Sequence, residues 1–532
     1  MTREPPRKKP RRSPKPDPEA LAPEADLAAL ARGGRINFFG FILRLAARLP
    51  FLFIAGRMYG AEQLGRFAYA VLIVEFAAQL ATLGLKRGLA QQLAHTDKPH
   101  VCIAWDALLV AAVGSALAMA ILIAFPQAMY PNSEIKGMDR LLPITIIALA
   151  WSDIMLAALA YRHDVTSTVR ARAVVEPVTI SAAALALAFV PRMVERGDGL
   201  IIAYVLSMVG ALAASVIPFL RSYGIPHGWR PDPAALWRMA RRNIPVAAAD
   251  AVEWGSRRID LAVLGLFFSP AVVGIYYVAQ NVASLPAKLK TSFDPILGPV
   301  IARNLKDGDK PAVARQVRQV GFWVIGAQLG VALALAIPGE AVMGLVGPAF
   351  VSGTAALAFL LAAEVVAAMA AVSEAALIYI ARHRNMLISL VMLALEAGLA
   401  VLLILGMRRF DLPVMFQATG PAIALMLALG FAAVVKSRLL CGILGARVNG
   451  WRWPLVWAAA AGTVVGVLAT YIPEWAELLF GIPAILLAFG AVLWTKGFGP
   501  EDRELFRMKK SDIEELQELE IPAPGTSGDV VR

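Results

Sequence analysis

The sequence has few cysteines, few charges and none of the short motifs that mark common catalytic sites. Its two cysteines, Cys102 and Cys441, lie far apart in or beside apolar segments, which argues against a disulfide framework or a cysteine metal site. The patterns GxSxG, HExxH and CxxC are absent, and the Gly-Lys dipeptide of a P-loop never occurs. We therefore predict no enzyme active site and no bound cofactor, nucleotide or metal.

The sequence also has no long polar stretch between its apolar segments. Of its 532 residues 58% are hydrophobic and only 17% are charged, and apolar runs of about 20 residues recur from Ile36 to Trp494. This composition, with a mean hydropathy of +0.64, is outside the range of ordinary soluble domains. The net charge of +12 comes from basic residues in short loops, which is a topology signal and does not indicate a nucleic-acid surface.

Apolar windows predict an all-α bundle of about 14 transmembrane helices. Their centres fall near Leu49, Gln79, Gly114, Ser152, Ser181, Gly210, Arg257, Leu285, Gln328, Ala370, Leu395, Ile423, Gly462 and Leu487.

The distribution of basic residues predicts the orientation of this bundle. Loops after even-numbered spans, such as Arg221 to Arg242, hold roughly 20 Lys and Arg, against about 8 in the alternate loops. The first set is expected to be cytoplasmic, which places both termini in the cytoplasm. The sequence RKKPRR near the N-terminus lies too far from the first apolar run for a signal peptide. We expect a disordered tail there, attracted to anionic lipid head groups.

A short internal repeat occurs once in each half of the chain. GAEQLGRFAYA, from Gly60 to Ala70, and SPAVVGIYYVA, from Ser269 to Ala279, align Gly65 with Gly274. Each segment connects a charged span to the next one, and both hairpins run in the same direction through the membrane. The repeat predicts two lobes related by a pseudo-twofold axis along the membrane normal.

Ionisable residues at bilayer depth cost a few kcal/mol each, so they usually face a bundle interior or a water-filled cavity. In the first span Arg44 and Arg48 are four residues apart and share a face. In the seventh, the spacing predicts a single helical stripe of Asp250, Glu253, Arg257 and Asp260. The repeat register sets Arg257 against Arg48, which predicts two arginines facing one central space.

Two interpretations of these charges stay open. In the first, they pair with one another as buried connections between helices. In the second, the surplus arginines of the first span bind an anion, and the planar donor fork of arginine suits phosphate. Aromatic and amide residues of the seventh and eighth spans, including Tyr276 and Gln280, are expected either to lie at the membrane interface or to contact a sugar of the cargo.

Two segments carry a resemblance to a known family. RLPFLFIAGRMYGAEQLGRFAYAVLIVEFAAQLATLGL, from Arg48 to Leu85, resembles the opening hairpin of Wzx-type polysaccharide flippases, and RRIDLAVLGLFFSPAVVGIYYVAQNVASLPAKL, from Arg257 to Leu289, is similar to their second-lobe hairpin. The resemblance implies the fold of the multidrug/oligosaccharidyl-lipid/polysaccharide exporter superfamily, with two six-helix lobes and alternating access. Related lipid II flippases carry an arginine where Arg44 falls, but Pro50 stands at the expected place of their second one, so lipid II is not assigned as cargo.

The resemblance divides the chain into a basic cytoplasmic tail (1–34), two six-helix lobes (35–222 and 223–440), two further transmembrane helices (441–497) and a cytoplasmic C-terminal tail (498–532). It implies a flippase, not an enzyme, that moves a polyprenyl-pyrophosphate-linked oligosaccharide across the bacterial inner membrane. Membrane lipids, and a polysaccharide polymerase with its export machinery, are the implied partners. The alternatives are an ion-coupled multidrug exporter of the same fold and a membrane glycosyltransferase.

This reading assigns two groups of residues. The pyrophosphate of the cargo is expected to bind the arginines, and the acids are expected to couple or gate transport by exchanging an arginine partner for a proton or an ion. The first group is Arg44, Arg48, Arg257 and Arg258, and the second is Asp250, Glu253, Asp260 and Glu75.

The topology is tested by single cysteines introduced at Ser222 and Ser269. An impermeant thiol reagent applied from outside should label the Ser269→Cys variant and leave Ser222→Cys unlabelled until the membrane is permeabilised, because these loops lie on opposite sides. Labelling of both positions from outside would contradict the topology.

Overall fold

The computed structural model describes residues 49–95, 98–255, 258–290 and 308–499, with the single positions 301 and 305. All regular structure within these ranges is helical, which confirms the all-α class. Ten helical segments are long and apolar enough to cross a membrane, and Pro454–Ala469 is a shorter apolar helix. The first of the ten, Leu49–Ala94, contains the predicted second span and the described part of the predicted first span. The protein is therefore a multi-pass membrane protein.

The helices of the first half follow the predicted spans closely. Residues 49–54 are α-helical and lead through a π-helix, Ala55–Tyr59, into the helix that begins at Gly60, and short 3-10 helices lie at Pro126–Ala128 and Gly137–Ile144. The α-helices are α1 (Gly60–Ala81), α2 (Leu85–Ala94), α3 (His100–Ala124), α4 (Thr145–Tyr161), α5 (Thr166–Val169), α6 (Glu176–Ala188), α7 (Pro191–Arg196) and α8 (Asp198–Tyr223), with a π-helical turn, Arg170–Val175, joining α5 to α6.

The second half continues in the same manner. Its helices are α9 (Pro233–Gly255), α10 (Ile259–Phe267), α11 (Pro270–Lys290), α12 (Lys310–Ala336), α13 (Gly339–Val346), α14 (Thr354–Ile380), α15 (Arg382–Arg409), α16 (Val414–Gln417), α17 (Gly420–Leu444), α18 (Pro454–Ala469), α19 (Glu474–Ala476) and α20 (Ile482–Val492), with a 3-10 helix at Pro348–Gly353 and π-helical turns at Glu477–Gly481 and Leu493–Gly497. The last pair, α18 and α20, pack on each other and on α12.

The two halves meet where α1 packs against α11. A Cβ atom placed on Gly65 would lie 1.7 Å from the carbonyl oxygen of Pro270 and 2.6 Å from the nitrogen of Gly274. In turn, a Cβ atom on Gly274 would lie 2.0 Å from the carbonyl oxygen of Ala61. Since the repeat register pairs Ala61 with Pro270 and Gly65 with Gly274, each contact has a reciprocal. Such reciprocity is what a twofold interface requires.

The loops on this side of the bundle also contact one another; we call it the hairpin end, defined by Gly60 and Ser269. Nδ2 of Asn132 donates to the carbonyl oxygens of Gly265 and Phe268, at 2.8 and 3.0 Å. Nε of Arg57 donates to the carbonyl oxygen of Leu345 at 2.9 Å. The loops after odd-numbered spans thus share one end, as the alternating topology predicts.

Arg66 anchors a buried polar cluster at the hairpin end. Its Nη2 donates to Oδ2 of Asp139 at 2.8 Å and to the carbonyl oxygen of Glu134 at 2.7 Å. The guanidinium lies 5.3 Å from the ring centre of Tyr130. Burial, followed by the negative charge of Asp139, raises the pKa of Tyr130 far above its ordinary value. The cluster ties α1 to the loop before α4 and satisfies a charge that the membrane edge would otherwise penalise.

The opposite side of the bundle is the loop end, defined by His95, Arg162 and Tyr223. Nε1 of Trp105 donates to the carbonyl oxygen of Gly224 at 3.2 Å, and His100 packs against the ring of Tyr161. Loops that follow even-numbered spans are therefore neighbours here.

One sequence expectation about the fold is wrong. Asp250, Glu253 and Asp260 do not form a single helical stripe, because α9 ends at Gly255 and α10 begins at Ile259. Arg258 between them has φ −145° and ψ −2°, outside helical geometry. Gly255 is a poor helix former, and the break allows Arg258 to reach across to α1.

The glycine contact generates a stability prediction. Gly65→Ala and Gly274→Ala should each destabilise the folded protein by about 3 kcal/mol or more, since a rigid backbone atom occupies the position of the new methyl group. Gly398→Ala is a matched control in α15, because nothing lies within 4 Å of its Cβ position. Thermal unfolding in detergent measures the difference. An unfolding temperature equal to that of Gly398→Ala would contradict the close packing.

Candidate functional site

Arg258 connects the second half of the chain to the first. Its guanidinium forms an ion pair with the carboxylate of Glu75 on α1 and lies 5.0 Å from the ring centre of Trp254. The side chains of Arg258 and Glu75 remain 39% and 28% exposed, although Glu75 lies within a transmembrane helix. Exposed charges at this depth face water and not lipid. We therefore place a solvent-accessible space between α1 and the α9–α10 break.

Arg87 forms a second connection, at the loop end of this space. Its Nη1 lies 3.1 Å from Oδ1 of Asp250, and its Nη2 lies 2.7 Å from Oε2 of Glu253. The side chains of Arg87 and Glu253 are each 56% exposed, whereas that of Asp250 is 2% exposed. Since Arg87 is on α2 and both acids are on α9, this triad connects the two halves at the loop end.

The structure tests the predicted arginine site only in part. Arg44, Arg48 and Arg257 lie outside the described residues, so their convergence stays a prediction. Arg258 is described, and it forms an ion pair with Glu75, which is one of the acids assigned to coupling or gating. In the described part of this space, the carboxylates of Glu75, Asp250 and Glu253 outnumber the guanidinium groups of Arg87 and Arg258. An excess of positive charge therefore depends on the first-span arginines and Arg257.

Asp260 occupies a separate, dry site inside the second half. It is fully buried, and its carboxylate accepts hydrogen bonds from the Tyr276 hydroxyl at 2.7 Å and from Nε2 of Gln280 at 2.9 and 3.0 Å. The backbone N–H of Leu261 donates a further bond at 2.8 Å. Because all these groups donate, the carboxylate of Asp260 is satisfied by hydrogen bonds inside the second half. Tyr276 and Gln280 are thus committed to Asp260 and do not form a sugar-binding surface.

Glu396 on α15 faces this site. It is fully buried, and neither carboxylate oxygen has a hydrogen-bond partner among the described residues. The helix that carries it, α15, packs against α10, which carries Asp260. A buried carboxylate without a partner is costly, which makes Glu396 a candidate for binding a proton or a cation. The proximity of Glu396 to Asp260 depends on the packing of α10, α11, α15 and α17.

One set of charges in the first half is paired within that half. Arg172 forms an ion pair with Asp153 and another, at 3.0 Å, with Glu176, and Lys86 lies 3.0 Å from Asp153. Two cations thus match two carboxylates across α2, α4 and the π-helical turn before α6. For this set the pairing interpretation is sufficient, and the residues act as connections between helices. The described residues contain no group of three or more His, Cys, Asp and Glu arranged to hold a metal ion.

This arrangement defines a class of fold, and comparison with solved structures agrees. A lipid II flippase, MurJ, in an inward closed conformation superposes with a TM-score of 0.67 at 11% identity, over 90% of this chain and 100% of that one. A multidrug resistance MATE family transporter of the MOP superfamily, in an inward-facing conformation, gives a TM-score of 0.60 at 14% identity, over 76% and 98% of the two chains. The chain therefore has the fold of this exporter superfamily.

The family follows from the sequence itself. The family described as "Polysaccharide biosynthesis protein" matches residues 54–339, more than half of the chain. The protein belongs to this family, which confirms the resemblance that the two hairpins carry. The sequence has no match among curated proteins.

Proposed function

We propose that the protein is a flippase that moves a polyprenyl-pyrophosphate-linked oligosaccharide across the bacterial inner membrane by alternating access. One observation carries the proposal: an arginine that remains exposed at bilayer depth, Arg258, in a chain of the polysaccharide biosynthesis family. The cargo supplies the anion that such an arginine attracts, because a pyrophosphate is unstable in hydrocarbon without donors. In this role the protein catalyses no covalent reaction.

The phosphate site would form by exchange of partners. In the present state Glu75 neutralises Arg258, and the same guanidinium can accept a phosphate in its place since both ligands offer a pair of oxygens. Arg44, Arg48 and Arg257 would supply the remaining positive charge. Arg87 with Asp250 and Glu253 would close the loop end and open to admit cargo. Alternating access then amounts to a change in which these pairs are made.

Coupling is assigned to the buried pair Asp260 and Glu396. The sequence carries no nucleotide-binding motif, so uphill transport is assigned to an ion gradient or to the membrane potential. A proton or a small cation on Glu396 would leave when a conformational change admits water to α15. Its loss would place two negative charges in one dry site, which biases the equilibrium between conformations.

The cargo site is tested with Arg48→Ala, Arg257→Ala and the double variant in proteoliposomes that contain a fluorescent polyprenyl-pyrophosphate oligosaccharide. We expect each single change to slow transport on the order of a hundredfold, and Arg48→Lys to slow it less, because lysine keeps the charge without the bidentate fork. The double variant should be little slower than either single one, since both arginines bind one phosphate group.

Arg241→Ala is the control for this series, because Arg241 is exposed on α9 and its loss changes the net charge equally. Additive losses in the double variant would argue against a shared phosphate. Parental transport in all the variants, or export of a cationic drug in place of the lipid, would overturn the proposed cargo and favour the multidrug exporter.

The coupling assignment predicts different pH behaviour for the buried pair, Asp260 and Glu396, and for Asp250. Asp260→Asn and Glu396→Gln should reduce flux and flatten its dependence on external pH, because each removes a charge from the buried pair. Asp250→Asn should reduce flux while the pH profile keeps its shape, since Asp250 binds Arg87 elsewhere. Glu62→Gln, at an exposed position of the hairpin tip, is the control. A pH profile in Glu396→Gln identical to that of the parent would refute the assignment.

A further inference from the structure

A polar groove opens at the loop end of the first half, away from the charges discussed above. It lies between the start of the transmembrane segment Thr166–Ala188 and the end of α8, and its volume is about 460 Å³. Its polar lining includes Thr166, Arg170, Arg221 and Ser222. Both helices end here, so the groove lies at the edge of the hydrocarbon layer.

The groove carries an excess of positive charge. The guanidinium groups of Arg170 and Arg221 are exposed and make no ion pair or hydrogen bond within the described part of the chain. Asp164 is the acid in the lining, and its carboxylate already accepts from the backbone N–H of Ser167 at 3.1 Å and from the hydroxyl of Ser167 at 2.6 Å. Because the two arginines have no acidic partner among the described residues and Asp164 is hydrogen-bonded to Ser167, the groove favours the binding of an anion with several oxygens.

The remaining wall of the groove is apolar and continuous with the lipid-facing surface. Ala214, Ile217 and Pro218 line it, and Ile217 is 53% exposed. A soluble anion would leave this apolar wall uncovered, whereas a lipid acyl chain attached to a phosphate would cover it. A neighbouring arginine holds the rim of the groove: Arg162 bonds to the carbonyl oxygen of Ser222, lies 3.2 Å from its hydroxyl, and stacks 3.9 Å from the ring centre of Tyr223.

We propose that this groove binds one anionic phospholipid, with its phosphate between Arg170 and Arg221 and an acyl chain along Ile217. The site is separate from the cargo space, because none of its lining residues belongs to α1, α2, α9 or α10. The bound lipid fixes the junction of α5 and α8 against the leaflet that carries the basic loops. The groove recognises the lipid head group through its charge, and the sugar-bearing cargo takes no part in this binding.

The test is native mass spectrometry of the full chain, delipidated in detergent and titrated with phosphatidylglycerol or phosphatidylethanolamine. In the parent, phosphatidylglycerol should be retained at one site more tightly than the zwitterionic lipid. Arg170→Ala with Arg221→Ala should weaken this retention by about tenfold or more, and the corresponding double Lys variant should weaken it less. Arg241→Ala with Arg242→Ala, which removes the same charge outside the groove, should leave it unchanged.

Several outcomes overturn the proposal. Equal retention in the double Ala variant and in the Arg241/Arg242 control shows that the lipid binds elsewhere. Displacement of the lipid by excess inorganic phosphate alone assigns the groove to a soluble phosphate. Much tighter retention after removal of the acidic residues 500–532 assigns it to that segment. The double Lys variant guards against misfolding: if it unfolds at the parental temperature yet retains no more lipid than the double Ala variant, positive charge in the groove does not hold the lipid and the proposal fails.

Discussion

The contact between Gly65 and Gly274 sets the distance between the two halves, and the other cross-connections depend on it. With a side chain at either position, the new Cβ atom would overlap a backbone atom of the other helix, and α1 and α11 would have to move apart. The close approach accompanies the contact of Asn132 with the end of α10. Farther from this contact the hairpins diverge, and Glu75 and Arg258 meet in a space that still admits solvent.

Charges in this protein follow two different solutions to the same desolvation problem. In the first half, Lys86, Arg172, Asp153 and Glu176 match charge for charge and connect helices. In the second half, Asp260 is stabilised by neutral donors while Glu396 has no partner in the described structure. The first arrangement is stable in one state. The second changes its stability when a proton or an ion arrives, which is the property that a coupled transporter requires.

The break between α9 and α10 explains why a single predicted span contributes residues to three separate sites. An unbroken helix would align Asp250, Glu253 and Asp260 along a single face. The turn at Arg258 instead directs Asp250 and Glu253 to Arg87 and buries Asp260 beneath Tyr276. Interrupted transmembrane helices are tolerated where they line a cavity, because other groups satisfy the freed backbone.

The sequence by itself determined the all-helical membrane fold, the helices at the predicted spans and the two-hairpin repeat, because apolar length and the register of Gly65 with Gly274 are local properties. Its hairpin residues also indicated the family that the match over residues 54–339 establishes. Only the tertiary structure decided which charges meet. Glu75 with Arg258, and Asp260 with Glu396, are more than a hundred residues apart in sequence. Spacing along one helix gives the face of a charge, whereas its partner depends on how two distant helices pack.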